Sequence, residues 1–331
     1  MEGKKRTAVF HAFLAAVFYA LNAPFSRILL NEVDPAMMAG FLYLGAGVGI
    51  GILSLFHKDK GEKLSKEDLP YVIGMVVLDI AAPILLMLGL RVTNASTVSL
   101  LNNFEITATT VIALLLFHEK VSERLWIGIF CITVSGILLS VEEGASFSFS
   151  PGALLVLGAA ACWGLENNCT RSISNKSTYQ IVFIKGIFSG LGSILVGLLS
   201  RESFPAVNYI LPAMVLGFTA YGLSIFFYIQ AQSVIGAAKT SAYYACAPFI
   251  GSFLSFVILK ESFSAHYFAA LIIMILGTVF VVMDTLYIHH SHMHTHTFTH
   301  THDGSTHTHT ITHSHPHDHY VFTKYHVHTH L

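Results

Sequence analysis

Two halves of this chain repeat one pattern, and each half holds five apolar runs of membrane-spanning length. Five is odd, so the second half must enter a bilayer upside down relative to the first. The repetition is visible residue by residue. Tyr19-Ala-Leu-Asn-Ala-Pro-Phe-Ser-Arg27 aligns with Trp163-Gly-Leu-Glu-Asn-Asn-Cys-Thr-Arg171 at an offset of 144, and Gly89-Leu-Arg-Val-Thr-Asn-Ala-Ser-Thr-Val-Ser99 with Ala231-Gln-Ser-Val-Ile-Gly-Ala-Ala-Lys-Thr-Ser241 at 142. Internal symmetry of this kind in an apolar chain is a mark of membrane transport proteins.

The runs cover approximately 8–30, 36–56, 70–90, 95–117, 125–141, 152–169, 179–199, 210–231, 237–259 and 265–287. Each lies near the roughly 20 residues that a helix needs to cross a hydrocarbon core about 30 Å thick. With 53% hydrophobic and 11% charged residues, the chain has too little polar surface to clothe a soluble domain. The fold class expected is all-α: a polytopic membrane protein of ten transmembrane helices in two inverted five-helix repeats, 1–143 and 144–287, followed by a tail at 288–331. Loops on one side carry Lys4, Lys5, Arg6, Lys58, Lys60, Lys63, Lys66, Lys120, Arg124, Arg171, Lys176 and Lys239, and loops on the other only Arg27, Arg91, Arg201 and Lys260. This asymmetry predicts cytoplasmic termini in a multi-pass plasma-membrane protein. The first run is long enough to span, so it is expected to stay in the mature chain. All four cysteines fall inside apolar runs, which argues against a disulfide framework. A net charge of −1 gives no reason to expect a nucleic-acid partner.

Asn94-Ala-Ser-Thr-Val-Ser-Leu-Leu-Asn-Asn-Phe-Glu105, closing on His118-Glu119-Lys120, resembles the paired-repeat signature of the drug/metabolite transporter superfamily, EamA type. The second copy is Ser233-Val-Ile-Gly-Ala-Ala-Lys-Thr-Ser-Ala-Tyr-Tyr-Ala-Cys-Ala-Pro248, closing on Lys260-Glu261. The resemblance covers residues 8 to 287 and implies a ten-span carrier of small solutes with a central cavity between its halves. Two positions depart from the family's Glu-Pro pattern: Ile106 follows Glu105, and Ala247 precedes Pro248. Substrates vary widely across the family, so the resemblance implies a mechanism more than a cargo.

An ionisable side chain deep in a span costs about 2.5–3.5 kcal/mol, so each one asks for a partner, water or a function. Asp79, Glu105, Glu166, Lys185 and Lys239 stand out. Glu166 and Lys185 both lie on the order of 9 Å from the same boundary, on consecutive spans, and are expected to pair. Asp79 and Glu105 reach a level roughly 14 Å deep that carries no basic residue, an arrangement that suits binding a proton or a cation. Alternatively, one of them is neutral and bonded to Asn102 or a neighbouring helix. Lys239, at the start of the ninth run, reads as a snorkelling anchor or as a contact for an anionic group. Asn22, Asn102, Asn103, Asn167, Asn168, Trp163, Tyr243 and Tyr244 are expected either to line the cavity or to bond between helices. Cys162, Glu166 and Cys169 share one helix face, an arrangement poor in metal-site geometry and more consistent with packing. Gly45, Gly47, Gly49, Gly51, Gly186 and Gly190 form small-residue ridges for close helix packing, within the subunit or in a homodimer.

Of 20 histidines, 16 lie between His289 and His330. With so little apolar content the tail is expected to be disordered. Its alternation places imidazoles such as His292, His294, His296, His313, His315, His317 and His319 on one side of an extended chain, suited to binding Ni, Co, Zn or Cu. No cofactor is required by anything in the sequence. The leading reading is a secondary transporter of small metabolites working by alternating access, with proton-coupled export as one form. A divalent metal exporter using the tail, and a metal-sensing membrane receptor without flux, remain alternatives. The absence of His-Glu-x-x-His, Gly-x-Ser-x-Gly and Walker motifs argues against an enzyme and against ATP as the energy source.

Overall fold

A computed structural model describes residues 2–56, 61–117, 122–141, 149–173, 176–235, 240, 243–262, 264–285, 287–302 and 305–320. The chain is helical from Glu2 to Thr285 apart from short connections among the described residues. Among the described residues seven helices are long and apolar enough to cross a bilayer: Lys4–Leu29, Pro35–Phe56, Lys66–Val92, Glu123–Ser140, Thr178–Leu199, Val207–Ala231 and Ala265–Asp284. Ala247–Leu259 is a shorter apolar helix. The sixth run forms Pro151–Ser172, whose polar residues Glu166, Asn167, Asn168 and Arg171 lower its hydropathy. The fourth is split into Ala95–Leu101 and Phe104–Phe117 by a turn at Asn102-Asn103. In the second half a turn at Ala245-Cys246 precedes Ala247–Leu259 in the same way.

Inversion of the repeats is written in their contacts. The second span runs antiparallel to the seventh: Gly47 meets Gly186 and Ile187, while Gly190 meets Gly40 and Leu44. Third and sixth spans pack likewise, with Gly89 against Gly152 and Val156 and Gly158 against Leu85. Fifth and tenth meet at Gly128 and Gly277. The halves interleave, so each of these glycine crossings joins one helix from either copy. The glycine ridges serve this internal packing: Gly45 faces the Met214 carbonyl, Gly49 the Phe218 ring and Gly51 the Phe183 ring. Small residues let backbones approach where lipid supplies no hydrophobic drive between helices.

Two carboxylates cap helices across the halves. Glu202 accepts from the Ala36 and Met37 amides at 3.1 and 3.0 Å, and Glu261 from those of Ala95 and Ser96 at 2.7 and 3.0 Å. Each answers the unpaired amides and positive end of a helix N-terminus. Glu261→Ala and Glu202→Ala should each cost about 0.5–2 kcal/mol in chemical unfolding. At the opposite end, Glu62 and Asp68 lie 3.3 and 3.7 Å from Lys176 and hold its ammonium above the ordinary lysine value.

Tyr287–His302 and Ser305–Tyr320 pair as an antiparallel ribbon. His326, His328 and His330 lie outside the described residues.

Candidate functional site

The polar residues of the spans converge on a cavity of about 240 Å³ lined by both halves. At its centre Lys185 is shared between two acids. Its ammonium lies 2.8 Å from Glu166 Oε1 and 3.3 Å from Asp79 Oδ2. Glu166 also receives the Thr170 hydroxyl. Asp79 Oδ1 accepts from the Tyr43 hydroxyl at 3.0 Å, and Tyr43 in turn accepts from the Trp163 indole at 3.3 Å. The two carboxylates are 1% and 2% exposed, so their charge is matched inside the protein rather than by solvent.

The expected Glu166–Lys185 pair is present. Contrary to the expectation from residue counting, a basic residue, Lys185, does share the level of Asp79. Rise along a helix places Cα atoms only, and the lysine stem spans the few ångströms that separated the two levels. Lys185 also opens a π turn, Lys185–Ser189, that breaks the regular α spacing used for the count. Such turns are frequent at functional sites. A second one, Phe218–Leu223, carries Tyr221 into the same cavity.

Glu105 occupies the cavity apart from this cluster. It stands in the first turn of Phe104–Phe117, where the break at Asn102-Asn103 starts a new helix. Asn167 Nδ2 donates to Glu105 Oε1 at 2.7 Å and approaches Thr109 Oγ1 at 3.2 Å. Asn168 turns away, donating to the carbonyls of Gly164 and Thr109. Asn22 donates to Tyr221 at 2.9 Å and accepts from Ser26. With Asn102 it borders a small adjoining space beside Pro248. Asn103 is buried, and its Nδ2 donates to no acceptor among the described residues. Tyr244 lines the main cavity, whereas Tyr243 is 38% exposed and does not. Lys239 lies outside the described residues. Among the described residues no group of three His, Cys, Asp or Glu side chains could hold a metal.

Three lining tyrosines, Tyr19, Tyr43 and Tyr221, escaped the sequence reading. The repeat itself carried a signal for two of them. Tyr19 is the counterpart of Trp163 at the offset of 144, and Tyr221 that of Asp79 at 142. The bond between Asn22 and Tyr221 thus stands, in uncharged form, where Lys185 bridges Glu166 and Asp79 in the other copy. One copy of the site is ionic and the other neutral.

The sequence profile of the EamA-like transporter family matches residues 6–141 and 150–283. A protein of Methanothermobacter thermautotrophicus described as an uncharacterized transporter is 26% identical over 294 residues, covering 81% of this chain and 83% of the relative. The uncharacterized transporter YyaM of Bacillus subtilis is 22% identical over 256 residues, covering 73% and 83%. A solved crystal structure superposes with a TM-score of 0.61 at 15% identity, covering 83% of this chain and 95% of that one, a likeness of fold.

Proposed function

Because the chain belongs to the EamA-like transporter family, we propose that it moves a small amine-bearing solute across the plasma membrane by alternating access, in exchange for protons. The observation that carries this reading is the charge count of the cavity. Among the described residues, Asp79, Glu166 and Glu105 face one cation, Lys185, inside walls of tyrosine and tryptophan. Lys185 occupies Asp79 and Glu166, while Glu105 is bonded to a neutral amide. Glu105 is therefore the group free to trade a proton for a cargo ammonium, and the aromatic faces add cation–π attraction of about 0.5–2 kcal/mol each. The two inverted halves supply the rocking elements, and the breaks at residues 102–103 and 245–246 lie where such carriers place their sites. The lysine and arginine asymmetry supports cytoplasmic termini.

Proteoliposomes with a trapped pH-sensitive dye test this directly. A panel of small primary amines should release protons, and size-matched carboxylates should not. Glu105→Gln should lower that exchange by about 10²-fold or more, since a neutral amide neither carries a proton nor answers an ammonium. Amine flux without proton movement, or full exchange by Glu105→Gln, would overturn the proposal.

A further inference from the structure

The break in the fourth span leaves polar atoms without partners beside the turn at Leu21 in the first. Ser99 and Asn102 share a helix face and are 4% and 8% exposed, yet neither Ser99 Oγ nor Asn102 Oδ1 has a hydrogen-bond partner among the described residues. Leaving such atoms unanswered is costly, so they point to a ligand. Both border a small space of about 10 Å³, walled also by Ala20, Asn22, Pro248 and Gly251. Pro24 has no N–H to give, so the Ala20 carbonyl lacks the amide that a regular helix would offer it. That carbonyl and Ser99 Oγ face one point beside Gly251: a Cβ added there would fall 3.2 Å from the first and 3.0 Å from the second. Asn22 Oδ1 accepts from Ser26 at 3.0 Å and keeps a second lone pair.

We propose that this space is a sodium site, in which Ser99 Oγ, Asn102 Oδ1 and the Ala20 carbonyl, joined by Asn22 Oδ1, hold one ion. A water molecule has two hydrogens to donate and cannot answer all of these oxygens, whereas a cation draws on the lone pairs of each. The oxygens are hard and uncharged, and no carboxylate, imidazole or thiolate borders the space. Such a set suits a monovalent alkali ion rather than Ca²⁺, Mg²⁺ or a transition metal. Room for a single water-sized particle favours Na⁺ over the larger K⁺. Ala20 and Asn102 stand where the helices Glu2–Ala20 and Ala95–Leu101 end, and a helix C-terminus is the negative end of its dipole. The oxygens belong to the first copy and Gly251 to the second, so the ion is enclosed only where the two copies meet. The site is independent of what the main cavity carries.

The test unfolds the purified full-length protein by heat in detergent, without cargo, in NaCl, KCl or choline chloride at equal ionic strength. Na⁺ should raise the unfolding midpoint with a saturable dependence on its concentration, and K⁺ and choline should not. Ser99→Ala removes one ligand with little change of shape. It should raise the Na⁺ concentration needed for the same effect by about tenfold or more, since loss even of a ligand's supporting contacts costs that much. Gly251→Ala, which sets a methyl group against two of the ligands, should abolish the Na⁺ effect. Ser193→Ala is the control: its hydroxyl is equally buried and unpartnered among the described residues but lies outside this space, so the Na⁺ effect should be kept. Equal midpoints in the three salts would leave the space to water and overturn the proposal. So would a Na⁺ effect that Glu105→Gln removes and Ser99→Ala keeps, which would put the ion in the main cavity.

Discussion

Lys185→Met should destabilise the protein by about 3–5 kcal/mol and abolish transport, because it strands two acids in the interior. Asp79 and Glu166 are almost wholly enclosed, and Lys185 is the cation that the structure places beside both. Without it the carboxylates repel each other, or must take up protons to stay buried, and either outcome raises the energy of the folded state. The triple variant Asp79→Asn, Glu166→Gln, Lys185→Met separates charge balance from function. A neutral site needs no counter-ion, so its stability should return to within about 1–2 kcal/mol of the parent. Transport should stay lost. Denaturant unfolding in detergent, paired with the proteoliposome assay, reads both quantities. A single variant as stable as the parent would mean that the ion cluster contributes nothing to the fold.

The second large effect belongs to the backbone crossing of the second and eighth spans. A Cβ added at Gly217 would fall 1.9 Å from the Leu42 carbonyl oxygen, and one at Gly45 would fall 2.0 Å from that of Met214. Both obstructions are main chain, so no rotamer change relieves them. Gly217→Val and Gly45→Val should each cost about 3 kcal/mol or more, the upper range for forced overpacking. Gly158→Ala is the control. Its Cβ would make an ordinary 3.6 Å contact with Leu85, and the gain in helix propensity over glycine is up to about 1 kcal/mol. Equal stabilities for all three variants would mean that the crossing is looser than the contacts indicate.

Fold and site were legible to different depths. The paired motifs at 19–27 and 163–171, the odd number of spans and the family match lead to one architecture. This follows because lipid permits few structures and apolar length is their main determinant. Counting residues along ideal helices also brought Glu166 to Lys185. The same count missed Lys185 beside Asp79, because depth along an axis ignores side-chain reach and the π turn at Lys185–Ser189. Periodicity could not find Tyr43, which packs toward the cavity from a helix buried along most of its length. Tyr221 could be reached through its repeat partner Asp79.

Under the proposed alternating access, the cavity between the inverted halves opens to each side of the membrane in turn. Ile225 lines that cavity without taking part in the ion cluster. Introducing Ile225→Cys, with Cys131, Cys162, Cys169 and Cys246 replaced by alanine, allows labelling by a membrane-impermeant thiol reagent in vesicles of either orientation. Alternating access predicts modification from both faces, whereas modification from one face only would contradict it.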